Sequence, residues 1–221
     1  MNLSFMQEFF VYAVDQNGNI PTLNGFSVEA CFVVGEIMEL LSLGCIVQDE
    51  NRKLVIGKSF DSGLPYLRQM CNLIARYKNP VDIISIAEDS YFDYSRTINN
   101  LLSPIGESLS EVGSAVKLHD RGLINRKAIY APTSDTVTYV IEKNRAVFFE
   151  DGNVNGNSLY LAALLDKSDL IRKYFNKTET SAIQKLIKDA RVSNEDESIR
   201  DILDCVDSVP RVASALSLNV L

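Results

Sequence analysis

The segment Ser27-Val28-Glu29-Ala30-Cys31-Phe32-Val33-Val34-Gly35-Glu36-Ile37-Met38-Glu39-Leu40-Leu41-Ser42-Leu43-Gly44 constrains the architecture more than any other. Ser27 can open a helix and Gly44 can stop it. Between them Cys31, Phe32, Val34, Ile37, Met38, Leu40 and Leu41 cover most of the helix circumference. A helix that is apolar nearly all round is a buried, central one. Glu29, Glu36 and Glu39 fall on one narrow stripe. Glu36 and Glu39, one turn apart, could form an acid pair. A solvated or paired stripe on the helix is the simpler expectation.

On the N-terminal side, Ser4 and Gln7 have the spacing of a capping box in front of a helix over Phe5–Val14. Asp15-Gln16-Asn17-Gly18-Asn19 is a strong turn run, followed by Pro21 and Asn24-Gly25. On the C-terminal side, Cys45-Ile46-Val47 and Leu54-Val55-Ile56 flank a polar turn and predict a short β-hairpin. A helix is predicted over Leu64–Tyr77, with Pro65 tolerated in its first turn. Asn79-Pro80 breaks it, and short helical stretches fit Val81–Ala87 and Tyr94–Leu102. Pro104 then introduces a long helix from Ile105 to about Arg121, ended by Gly122. Leu123-Ile124, a turn at Asn125-Arg126-Lys127 and Ala128-Ile129-Tyr130 predict a second hairpin. The unit helix, glycine stop, hairpin therefore occurs twice. Further helices fit Asp135–Phe149, Leu159–Phe175, Thr180–Val192 and Ser198–Val206. The apolar tail after Pro210 either packs internally or serves a homo-oligomer contact.

These elements predict a mostly α fold: a single globular helical domain over residues 1–221, built around a buried central helix, with two short β-hairpins. The 221 residues are 46% apolar and 23% charged, with mean hydropathy +0.01, an ordinary globular composition. No apolar run approaches the ~20 residues of a membrane span. The N-terminus lacks a basic region ahead of an apolar one, so no signal peptide is expected. The scattered Cys31, Cys45, Cys71 and Cys205 are expected to be small buried hydrophobes in a reducing cytoplasm. Net charge is -7, which excludes a broadly basic surface for nucleic acid.

Candidate chemistry is sparse. His119 is the only histidine, and adjacent Asp120 would point to another side of a helix. No G-x-S-x-G elbow, Walker loop or G-x-G-x-x-G run is present. With one histidine and no clustered cysteines, zinc has no ligand set. Asp151-Gly152-Asn153-Val154-Asn155-Gly156 begins like a calcium loop, but its twelfth position is Ala162, where a bidentate Glu belongs. No enzyme and no cofactor is expected. The one local basic group is Lys117, Arg121, Arg126 and Lys127, at the end of the second long helix and its hairpin. Cations at a helix C-terminus are stabilising in themselves. Their functional reading is an anion or lipid-headgroup site, worth ~1 kcal/mol per cation at an anionic surface.

Four segments resemble the Golgi phosphoprotein 3 family, in its order and at similar spacings. Leu3-Ser4-Phe5-Met6-Gln7-Glu8-Phe9-Phe10 is similar to the family's opening L-T-x-x-E-E-x-L. Gly35 to Ile46 is similar to its helix ending E-L-A-L-R-G-R-I. Leu118-His119-Asp120-Arg121-Gly122-Leu123-Ile124 is similar to L-V-E-K-G-V-L, and Ser158–Phe175 to its Leu/Ala-rich helix. The resemblance implies a largely helical single domain with hairpins. It also implies a non-enzymatic protein that binds phosphatidylinositol 4-phosphate at a membrane and links other proteins to it.

The family's headgroup residues are a Trp and three Arg, and none of them is kept. There is no Trp in the chain; the loop position falls near Leu23, and the arginine positions fall on Val33, Ser108 and Glu111. Each charge-assisted bond to phosphate is worth roughly 1.5–3 kcal/mol, so three lost cations would erase a micromolar site of about 8 kcal/mol. Two expectations follow. The first is a cytoplasmic, peripheral binding or adaptor domain whose anionic-lipid site is rebuilt at Lys117, Arg121, Arg126 and Lys127. The second is an interaction module that binds a protein partner without lipid. A winged-helix DNA reader is disfavoured, because Glu107 and Glu111 on its recognition helix would repel phosphates.

Overall fold

The computed structural model describes residues 1–21, 25–57, 64–93, 98–119, 128–150, 154–193 and 196–218. Ser4 starts helix α1 (Phe5–Ala13) by the predicted capping box: its hydroxyl accepts the Gln7 N–H, and the Gln7 side chain accepts the Ser4 N–H. The central helix α2 (Gly25–Ser42) follows. A two-stranded antiparallel hairpin comes next, β1 (Ile46–Gln48) and β2 (Leu54–Ile56), with Ile46 opposite Ile56. A 3-10 turn at Pro65–Leu67 leads into α3 (Arg68–Ile74), then α4 (Ile83–Asp93) and α5 (Ile98–Glu111). The second hairpin is β3 (Ala115–His119) and β4 (Ala128–Pro132). Then come α6 (Ser134–Phe149), α7 (Gly156–Lys167), α8 (Ile171–Tyr174), α9 (Lys177–Val192), α10 (Glu197–Asp204) and, after a 3-10 turn, α11 (Val209–Leu218). The protein is a mostly α single domain.

Helix α2 lies in the middle of it, in contact with α1, α4, α7, α10 and α11, and buried almost continuously from Val28 to Leu40. The Phe32 ring packs edge-on against Phe9 at 4.9 Å and Phe10 at 6.4 Å between centroids. Helix α1 crosses α2 at Gly35, where a β-carbon would overlap the Met6 sulfur. All four cysteines are buried and unpaired by disulfides, as expected of small core residues.

Two expectations about the elements are corrected. The long helix does not run from Ile105 to Arg121. It spans Ile98–Glu111 with Pro104 inside it, and Gly113, not Gly122, ends it. Gly113 takes the left-handed conformation at φ +74°, as Gly44 does at +63° after α2. At both ends the same two bonds close the helix: Gly44 N–H to Leu41 and Cys45 N–H to Leu40, Gly113 N–H to Ser110 and Ser114 N–H to Leu109. The repeated unit is therefore present, but its second glycine lies nine residues earlier than predicted. Second, the Leu159–Phe175 helix is broken. Asp169 adopts φ +61° after Ser168, whose hydroxyl donates to the Leu164 carbonyl. Of the two alternatives for the apolar tail, internal packing is seen: it forms α11, with Val212, Ala215 and Leu216 buried against α2 and α4.

Candidate functional site

The earlier helix stop changes the setting of the predicted basic group. Lys117 and His119 belong to strand β3 and not to a last helical turn. Lys117 pairs with Tyr130 across the hairpin, so both side chains share a face, and its exposed ammonium lies 5.9 Å from the Tyr130 ring centroid. Tyr130 in turn seats on α5, where its ring covers Gly106 so closely that no side chain would fit there. Arg121, Arg126 and Lys127, like the predicted Leu123-Ile124 strand, lie outside the described residues. Chain order places them between β3 and β4, beyond Lys117.

Exposed apolar side chains adjoin this hairpin. Val112 and Val116 flank Ser114, whose hydroxyl lies 3.5 Å from the Met1 sulfur, and the Tyr139 hydroxyl donates to the Met1 carbonyl at 3.0 Å. Met1, Val112, Val116 and Tyr139 all remain substantially exposed. Of the positions that correspond to the family's headgroup arginines, Val33 is core, and Glu111 is exposed at the end of α5. Ser108 accepts a hydrogen bond from the Gln7 amide at 3.0 Å. Leu23 lies outside the described residues.

The acid stripe on α2 is not solvated. Glu36 and Glu39 are both buried, at 2% and 3% exposure, while Glu29 is half-buried. Tyr66, from the 3-10 turn before α3, donates to the Glu39 carboxyl at 2.7 Å. The same hydroxyl lies 2.5 Å from that of Ser4, the cap of α1. One Glu36 oxygen, Oε2, is buried without a hydrogen-bond partner. Burial raises the Glu39 carboxyl to about 7, against opposing bonds from Tyr66, Ser4 and the Met6 backbone. Burial also pushes Glu36 well above the ordinary carboxyl range, with the neighbouring Glu39 adding to it. A third buried acidic side chain, Glu8, has charged and polar partners. It is held by the Lys143 ammonium and by the Asn144 amide at 2.8 Å, an ion pair between α1 and α6. Sequence spacing pairs Glu36 with Glu39, but no local signal points to Tyr66, which reaches Glu39 from 27 residues away.

Two surface grooves lie elsewhere on the described residues. One, of about 380 Å³, runs between the β1–β2 turn, the start of α4 and the start of α11. Its charges are largely matched internally: Arg52 to Asp204 at 3.0 Å, Asp207 to Arg191 at 2.9 Å, and Asp82 to the Ser85 N–H at 2.9 Å. The other, of about 330 Å³, is lined by Leu41, Ser42, Asn155, Tyr160 and Ser198 among others. Its Asn155 and Ser198 side chains bond within their own helix starts. That groove begins where the calcium-like run ends, and Asn155 serves there as the cap of α7. Among the described residues no group of three or more His, Cys, Asp or Glu is placed to hold a metal ion, and no helix is long and apolar enough to cross a membrane. Neither protein-family models nor the curated proteins contain a match to this chain.

Proposed function

We propose that the chain is a non-enzymatic binding domain of the Golgi phosphoprotein 3 type, peripheral to a membrane. In this reading it engages anionic lipid headgroups through Lys117, Arg121, Arg126 and Lys127. The observation that carries it is the second hairpin. Exposed Lys117 stands on the strand that leads into the basic segment, and the exposed apolar Met1, Val112, Val116 and Tyr139 belong to the same hairpin region, with Val116 on the opposite face of the strand from Lys117. Apolar surface next to cations suits an anionic bilayer interface, where each cation contributes about 1 kcal/mol. The helix–hairpin order supports the family resemblance, and the absence of the family's arginines at Val33, Ser108 and Glu111 requires the site to be a different one.

The test is co-sedimentation with neutral, phosphatidylglycerol-containing and phosphatidylinositol 4-phosphate-containing liposomes at low and physiological salt. Salt-sensitive binding to the anionic vesicles is expected, with neutralisation of Arg126 and Lys127 weakening it about 30-fold, from about 2 kcal/mol. Absence of binding, or binding indifferent to these residues, rejects the reading. The second reading, a protein-binding module without lipid, is favoured by the net charge of -7. It gains if no vesicle is bound.

A further inference from the structure

Four elements are tied together by one chain of hydrogen bonds, buried at Glu39 and Tyr66 and half-buried at Ser4 and Ser108. Glu39 on α2 bonds Tyr66 on the turn before α3, Tyr66 bonds Ser4 at the cap of α1, and Ser4 bonds Gln7. Gln7 reaches Ser108 on α5. One turn from Glu39, the Glu36 carboxyl keeps a buried oxygen with no partner.

No described cation balances the two carboxyls. From α1, Glu8 is engaged by Lys143 and Asn144, and from α7, Lys167 is engaged by Asp207 at 3.1 Å. From α10, Arg200 pairs with Glu197 and Asp201. From α4, Asp89 is bonded by Tyr77, and Glu88 is exposed. Arg68 of α3, Glu107 and Glu111 of α5 and Arg211 of α11 are likewise exposed. What faces the carboxyls is Tyr66, Ser4, the backbone of Met6 and one another. A charge on these buried carboxyls must be solvated by water, and loosening the packing of α1 and the Tyr66 turn against α2, at whose margin Ser4 is half-buried, lets water reach them.

We propose that Glu36, Glu39, Tyr66 and Ser4 form a proton-operated clasp. With both carboxyls protonated it locks the first turn of α1 and the Tyr66 segment onto the central helix. Loss of a proton from Glu39 to solvent admits water and frees them. The raised titration of Glu39, at about 7, puts the transition within reach of ordinary solution conditions. The device is independent of any lipid binding by the second hairpin.

Hydrogen–deuterium exchange on the full chain at about pH 5.5 and about pH 8.5, corrected for intrinsic exchange, reads the clasp directly. Protection of residues 1–13 and 64–74 is expected to fall at least about tenfold at the higher pH, with α9 unchanged. In Glu39→Gln that difference is expected to shrink to less than about twofold. Tyr66→Phe removes a donor that favours the ionised carboxylate, so the midpoint of the transition moves to higher pH. A uniform loss of protection that includes α9, or the same pH dependence in Glu39→Gln, overturns the proposal. Should Glu39→Gln not fold, a midpoint unmoved in Tyr66→Phe overturns it alone.

Discussion

At the scale of single residues, the ionisable groups pull stability in opposite directions along the pH axis. Glu39 and Glu36 hold their protons more tightly folded than unfolded, so their contribution is full below the unfolded carboxyl value of 4.5. It is lost as pH rises, through about 7 for Glu39. Asp82 and Asp207 are lowered from 3.8. The first is held down mainly by the Ser85 N–H; for the second, bonds from Arg191 and Lys167 outweigh burial. Their contribution is present above the unfolded value and fades as pH falls through the lowered one. Stability measured by urea unfolding is therefore expected to be greatest near pH 4.5–5 and to decline towards pH 8, with Glu39→Gln flattening the alkaline limb. Gly35 makes a second prediction at this scale. A methyl there must displace Met6 between two buried helices, so Gly35→Ala is expected to cost about 1–3 kcal/mol by the same assay.

At the scale of elements, the two left-handed glycines set where each hairpin leaves its helix. A β-carbon on Gly113 would meet nothing within 4 Å, so Gly113→Ala tests the backbone conformation without a packing term. The expected loss is about 1–2 kcal/mol, with Gly113→Asn losing less, measured as a shift in urea midpoint. This is also where the sequence reading was most and least successful. The central helix is legible because its apolar residues cover all but one narrow stripe of it, and the first cap because Ser4 and Gln7 have a mechanism as well as a spacing. The second long helix was misplaced because Gly113 and Gly122 both follow helix-compatible residues. The strand Ala115–His119 also carries too little alternation to separate the two. What distinguishes them is the pairing of Ala115–His119 with Ala128–Pro132, a contact between strands that no local pattern announces. The basic group is read from charge and an expected helix end; Lys117 lies on a strand instead, and Arg121, Arg126 and Lys127 lie outside the described residues. The burial of Glu36 and Glu39 was not legible, since a polar stripe on a helix ordinarily faces water.

At the scale of the whole molecule, the last helix closes the structure over the middle of the chain. Helix α11 covers both α2 and α4 with Val212, Ala215 and Leu216, joining segments far apart in the chain. Truncation after Ser208 would strip one side of the central helix. It is expected to abolish cooperative urea unfolding, not merely to lower the midpoint, as followed by far-ultraviolet circular dichroism.

The chain contains nine tyrosines and no tryptophan. Its near-ultraviolet absorption and intrinsic emission therefore belong almost wholly to phenol rings, and one of these, Tyr66, is buried with its hydroxyl bound to a titrating carboxyl. A phenol whose hydroxyl partner gains charge changes its absorption and loses emission, so the molecule carries a built-in optical indicator in its interior. Difference spectroscopy of the unlabelled protein against its Tyr66→Phe variant would isolate that ring and make the state of the core visible in a cuvette.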